Sequence, residues 1–186
     1  ILEALPKNRS ILADPHATPE ARALALTWVL HLVGDAHQPL HGVALFTERL
    51  LSTGDRGGND VIVRGRGNLH RVWDDLLGEG TSFAELDAGL ARLGRDRSRA
   101  REPAAAQLDV QTWIDEDCEL ARRVVYAPAI LSAVEHFERR HSQSEAPDKP
   151  EVSLADGYFR YAEGKARERA VRAGQRLAAI LATVPI

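Results

Sequence analysis

The chain holds a single cysteine, Cys118, in 186 residues. That excludes an internal disulfide and a thiolate zinc cluster, and leaves Cys118 to be read as a core residue. Positive charge is also in short supply: 24 Lys and Arg face 27 Asp and Glu, a formal net charge of −3. A protein that binds duplex DNA by bulk charge carries a strongly basic face, and this composition offers none. If the chain handles an anionic polymer, something else must neutralise it, and bound metal could do so. No apolar run approaches the length of a membrane span. The chain starts at Ile1 with neither methionine nor a signal-like segment, and so reads as a mature chain or a piece of a longer one. What is present is globular: 44% apolar and 27% charged residues exclude a disordered or fibrous chain. The length suits one domain, residues 1–186, with a real core.

The pattern along the chain is mostly helical. Thr18-Pro19-Glu20 is a helix start, a Thr cap followed by Pro at the first helical position. Leu24, Trp28, His31 and Asp35 then fall on one stripe, expected to point inward, until Pro39 ends or kinks the helix. Residues 43–67 change character. "STGDRGGND" is turn chemistry and "VIVRG" a strand-like run, which together suggest a small hairpin or loop. Helix resumes near Asn68. Ser82 and Glu85 form a capping box for a helix to about Leu93. "GRDRSRAREP" reads as a charged, solvated linker. Helices follow at about 109–126 and 128–141, split by Pro128, then a loop, "SQSEAPDKPE", and a final helix from about Ser153 to Val184. The fold class is therefore all-α, a multi-helix bundle with one loop or short-hairpin excursion.

Three of seven histidines lie between His31 and His41, in "HLVGDAHQPLH". His31 and Asp35 are four apart, one helical turn, so both can reach one metal ion. Alone, the pair is more readily a buried His–Asp hydrogen bond, or simply exposed, than a metal site. His70 and Asp74 in "NLHRVWDD" repeat the spacing. With His41, just past Pro39, they make a set of two histidines and one carboxylate. Three protein ligands with an open position suit catalytic zinc, and non-haem iron equally. His37 faces elsewhere on the helix, as a residue behind the ligands or on the surface. His16 lies in a loop, and His136 and His141 sit near a helix end, where favourable charge or hydrogen bonding accounts for them.

Taken in order, "HLVGDAHQPLH", "DRGGND" and "NLHRVWD" resemble the S1/P1 nuclease family of zinc-dependent secreted enzymes. "QTWIDEDCELARRVVY" and the final helix extend the likeness through the chain. The resemblance implies the all-α fold of the phospholipase C/P1 nuclease type and three Zn2+ ions. It implies that His31 ligates one ion of a close pair, that Asp35 bridges the pair, and that His41, His70 and Asp74 hold the third. It implies hydrolysis of single-stranded DNA and RNA by a metal-bound hydroxide, with removal of 3′-phosphates as a further activity. Asn59 and Asn68 either orient ligands or serve turns and caps. The family's N-terminal ligands have no counterpart here. The first third of the domain is expected to be missing, with five of nine ligands present, at most one zinc held tightly, and the face around Leu24 and Trp28 left open. Asp14 and His16 lie too close to the motif to replace the missing ligands. Secretion or a periplasmic location follows by resemblance; no obligate protein partner is evident. A phospholipase C-like esterase and a non-catalytic helical fragment are the competing readings. An HD-type phosphohydrolase needs an adjacent His-Asp pair, which is absent.

Overall fold

The computed structural model describes residues 1–78, 80, 82–96, 104–141 and 148–185. Most of the charged linker at 94–103 and of the loop after residue 141 therefore lies outside the described residues. Helix α1, Ala4–Ala13, packs against α2, Pro19–Asp35. Thr18 caps α2 by accepting the amide of Ala21, and Pro19 takes the first position, where no amide is needed. The helix stops at Asp35. A tight turn leads into α3, Pro39–Gly42, whose cap is Gln38. The break falls three residues before the proline, because Pro39 has no amide to continue the ladder.

The excursion at 43–68 carries a two-residue hairpin, β1 (Ile62–Val63) and β2 (Gly67–Asn68), with Val63 opposite Gly67. A third strand, β3 (Glu151–Val152), joins β1 in parallel, Ile62 opposite Glu151 and Val63 opposite Val152, and the Arg64–Glu151 bond lies beside this pairing. Helix α4, Leu69–Asp74, follows the hairpin directly, capped by the Asn68 side chain on the amide of Arg71. Next come α5 (Phe83–Asp96), α6 (Val110–Leu120) with a π-helical turn at Ala121–Val125, and α7 (Pro128–Arg140). The expected capping box is present: Ser82 Oγ accepts the amide of Glu85, and Glu85 accepts the amide of Ser82. Helix α8, Asp156–Leu181, closes the chain.

Two apolar clusters form behind these elements. One gathers Leu40, Val61, Val63, Leu69, Trp73, Val125, Ile130 and Val134 beneath the hairpin. The other gathers Leu5, Leu12, Val29, Val33, Val110, Trp113 and Ile180 from α1, α2, α6 and α8. Each fully buried side chain of this size stabilises by roughly 1.5–3 kcal/mol. Ala36 belongs to the second cluster and Leu40 to the first. The turn from Asp35 to His41 thus runs between the two cores, and α8 supplies Ala162 to one and Ile180 to the other. Cys118 is only partly buried, because it sits at the edge of α6 rather than in either cluster.

Candidate metal centre

The side chains at the two ends of this turn meet those of α4. Donor atoms of His41, His70 and Asp74 lie within 4.8 Å of one another. His41 Nε2 is 3.5 Å from one oxygen of Asp74, and His70 Nε2 is 3.5 Å from the other. Those separations exceed a normal hydrogen bond. They are close to the edge of a tetrahedral shell, where ligands at 2.0–2.1 Å stand about 3.3 Å apart. The two rings stack at 5.1 Å between centroids and 14°. Two imidazoles and a carboxylate with an unshared gap between them fit a divalent ion.

The far side of each ring is already committed. His70 Nδ1 lies 2.7 Å from the carbonyl of Gly57. A carbonyl can only accept, so Nδ1 carries the proton and Nε2 turns its lone pair to the cluster. His41 Nδ1 lies 3.1 Å from Asp35 Oδ1, an ion-pair contact that leaves its Nε2 on the side of Asp74. The other oxygen of Asp35 is 3.2 Å from His31 Nε2. His31, Asp35, His41, Asp74 and His70 therefore form one continuous array, although His31 and Asp74 are far apart in sequence.

Four features sharpen or correct the sequence expectation, or escaped it. The stripe of Leu24, Trp28 and His31 does not point into either core as the spacing implies; Leu24 and Trp28, 62% and 47% exposed, form the open face expected around them. The buried stripe of α2 is Ala25, Val29, Leu32 and Val33, which packs on the second core. Asn59 and Asn68 make the contacts of the turn-and-cap alternative: Asn68 donates to Asn59 Oδ1 while capping α4, and Asn59 donates to the carbonyl of Arg56. Gln38, unremarked in the sequence, accepts the amide of Leu40 and donates to Asp74 Oδ1 at 2.8 Å. Its place before Pro39 was the only signal. Gly57, in "DRGGND", is the fourth. Its φ is +63°, and a Cβ there would stand 2.3 Å from the carbonyl oxygen of Leu40. Buried Asp55 fastens the same loop, accepting the amide of Leu45 and the hydroxyl of Tyr126.

On the inner side of the turn, His37 points away from the array into a buried charge cluster. Its Nδ1 donates to the carbonyl of Val33, and its Nε2 accepts from Arg176 at 2.8 Å. Burial first, and then the charge of Arg169, lower its pKa to about 3, so the ring is neutral. Glu116 receives Arg176 through both oxygens and also bonds Arg169. Burial works to raise the Glu116 carboxyl, but these hydrogen bonds and charges outweigh it and hold it at about 2. Asp117 is wholly buried. Arg169 Nη2 approaches it at 2.7 Å without the angle of a hydrogen bond. Burial pushes its carboxyl up to about 7 against the pull of Arg169.

Comparison with known proteins gives this geometry a context. The family model described as S1/P1 Nuclease matches residues 1–185. The chain is similar to Endonuclease 4 of Arabidopsis thaliana, 30% identical over 160 residues that cover 84% of this chain and 49% of that protein. Endonuclease 5 and Endonuclease 3 of the same plant are 28% and 29% identical over 163 residues, covering 84% of this chain and 49% and 50% of those proteins. The chain spans about half the length of the curated relatives it matches.

Proposed function

Because this chain belongs to the S1/P1 nuclease family, we propose that it serves the hydrolysis of phosphodiester bonds in single-stranded DNA and RNA, with Zn2+ as its metal. The observation that carries this reading is the three-donor group of His41, His70 and Asp74, with His70 oriented by its hydrogen bond to the Gly57 carbonyl and His41 lying against Asp35. A phosphodiester is anionic, and this chain has no positive balance to meet it. A divalent ion on the three donors would supply the missing charge and stabilise a departing 3′-oxygen.

The chain's own part is to present the donors. His70 is held by the Gly57 carbonyl, His41 by Asp35, and Asp74 by Gln38. Asp35 also reaches His31, and the two would serve the close ion pair, with Asp35 as the bridge. Among the described residues, only His41, His70 and Asp74 form a three-donor group. Two donors alone are too few to hold a pair of ions or fix their spacing. The chain by itself is therefore expected to bind about one zinc and to cleave slowly. The names of the similar plant proteins, all endonucleases, favour internal cleavage of a nucleic acid as the activity of the whole protein. Export from the cytoplasm accompanies this reading; no helix among the described residues is long and apolar enough to cross a membrane.

Metal analysis of the purified chain, with competition among zinc, iron and manganese, tests the first half. Degradation of single-stranded DNA with and without chelator tests the second. About one tightly held zinc and weak, chelator-sensitive cleavage are expected. Absence of any metal bound through His70, or cleavage indifferent to chelator, would overturn the reading.

A further inference from the structure

Helix α2 ends at Asp35, and its last carbonyls have no partner within the helix. The carbonyls of Ala36 and His37, in the turn beyond, are met from a distant part of the chain. Arg169, in the middle of α8 and 6% exposed, donates Nη2 to Ala36 at 3.3 Å and Nε to His37 at 3.4 Å. The same Nη2 reaches the carbonyl of Trp113 on α6 at 3.2 Å, and Nη1 bonds Glu116. One guanidinium thus ties α2, α6 and α8 together at the point where the backbone leaves Asp35 for His41. A cation at the end of α2 also complements the negative end of the helix dipole. Arg176 adds a second hold on the same turn by donating to the His37 ring.

The turn is short, so its geometry fixes the donors on either side. Its own hydrogen bonds are local: Ala36 to Leu32, Gln38 to Asp35, and His41 to Gln38. None of these sets the direction in which α3 departs. The Arg169 contacts do, because they reach two consecutive carbonyls from a helix that is anchored in both cores. Lysine could not reproduce this: its single ammonium has no planar fork to span three carbonyls and a carboxylate.

Resting on the metal reading given above, we propose that Arg169 is a positioning residue that sets the spacing of Asp35 and His41, and through it the metal affinity of the His41–His70–Asp74 site. It touches neither metal nor substrate and acts through the turn at 36–38. Loss of such support behind metal ligands weakens binding by about 10–100-fold, and a loss in that range is expected here.

The test uses the full chain with two variants. Arg169→Met with Asp117→Leu replaces a buried ion pair by apolar side chains, an exchange that folds often tolerate, while leaving the carbonyls of Ala36 and His37 without a donor. Arg169→Lys keeps the charge and loses the fork. Zinc affinity is read by competition with a chromophoric chelator, and amide exchange at His37, Gln38 and His41 is read in the metal-free protein. Ile130→Val, in the other core, controls for general destabilisation. Faster exchange in the turn and zinc binding weaker by tenfold or more are expected in both Arg169 variants, with neither in the control. A folded variant that binds zinc like the wild type overturns the proposal, as does equal loss in Ile130→Val. Failure of both Arg169 variants to fold overturns it too, by reducing Arg169 to a folding role. If the wild type binds no zinc, the metal reading falls separately, and the exchange data still decide whether Arg169 holds the turn.

Discussion

The two sides of the turn between Asp35 and His41 use nearly the same residue types to opposite ends. Outside, two imidazoles and a carboxylate point their donor atoms at one another across 3.5 Å, with no cation among the described residues paired with them. Inside, an imidazole and two carboxylates converge on two arginines, which supply the positive charge from α8. Histidine and aspartate at helical spacing do not by themselves make a metal site. What distinguishes the outer group is that the Nε2 atoms of its two rings face Asp74, while each Nδ1 lies against an acceptor on the far side. The inner group meets its demand within the chain, so it has nothing left to offer an ion.

The sharpest way to break this contrast is His70→Ala. It removes one of three donors from the outer group and leaves the inner group intact. Zinc affinity should fall by more than about 100-fold, since two protein ligands remain where catalytic zinc ordinarily has three. The fold should be retained, as shown by an unchanged circular dichroism spectrum. Isothermal titration would decide it; near-normal zinc binding would mean that the ion sits elsewhere.

The inner group can be broken by pH. Asp117 has a folded pKa raised to about 7 by burial, above the ordinary value of 3.8. A raised acid favours the folded state while protonated, so its contribution is complete below about pH 4 and is lost as pH rises through 7. Asp117→Asn keeps the neutral form at every pH. The variant should match the wild type below pH 4 and gain on the order of 4 kcal/mol above pH 7. Urea denaturation across that range would show it, and a flat difference would mean that Arg169 keeps Asp117 ionised throughout.

Two smaller effects test how the outer donors are held. Gly57→Ala places a methyl against the Leu40 carbonyl at a φ of +63°. A strained backbone position of this kind costs about 1–3 kcal/mol, and the loop should relieve it by moving the carbonyl that orients His70. Lower melting temperature and weaker zinc binding should appear together. Asp35→Asn exchanges the acceptor at His41 Nδ1 for a weaker one, and zinc affinity should fall by about tenfold, the low end for groups that orient ligands. An unchanged affinity would show that His41 needs no orienting partner.

Much of this arrangement was legible in the sequence because it rests on local chemistry. Thr18-Pro19, Ser82 with Glu85, and Pro128 each mark a helix start through the hydrogen bonds of a few neighbouring residues. The H-x3-D pairs are local in the same way. Helix α1 was not legible, since Pro6 within it reads as a breaker; it lies in the first turn, where its missing amide does no harm. Which stripe of α2 enters the core was not legible, because the helix is apolar on several sides and Leu24 and Trp28 compete with Ala25 and Val29; the open face around Leu24 and Trp28 was. Strand β3 and the arginines of α8 depend on pairings between distant segments. In "EGKARERAVRAGQR" the spacing resembles a solvated face, and nothing local shows that Arg169 and Arg176 turn inward.

The smallest effect is expected at His31, and it separates the two halves of the outer array. His31 is exposed, with its side chain 62% accessible, and among the described residues its ion-pair partner is Asp35 Oδ2. The oxygen that orients His41 is the other one, Oδ1. Removing His31 therefore leaves His41, His70 and Asp74 with every hydrogen bond they now have. Exposed pairs of this kind contribute about 0–1 kcal/mol, so His31→Ala should change zinc affinity less than about threefold and stability hardly at all. The comparison with His70→Ala then turns on stoichiometry. If the chain carries one ion, His70→Ala empties it and His31→Ala leaves it full. If His31→Ala instead removes a full equivalent of zinc, then Asp35 and His31 hold an ion of their own, and the two-donor half of the array is a metal site in this chain rather than a surface ion pair.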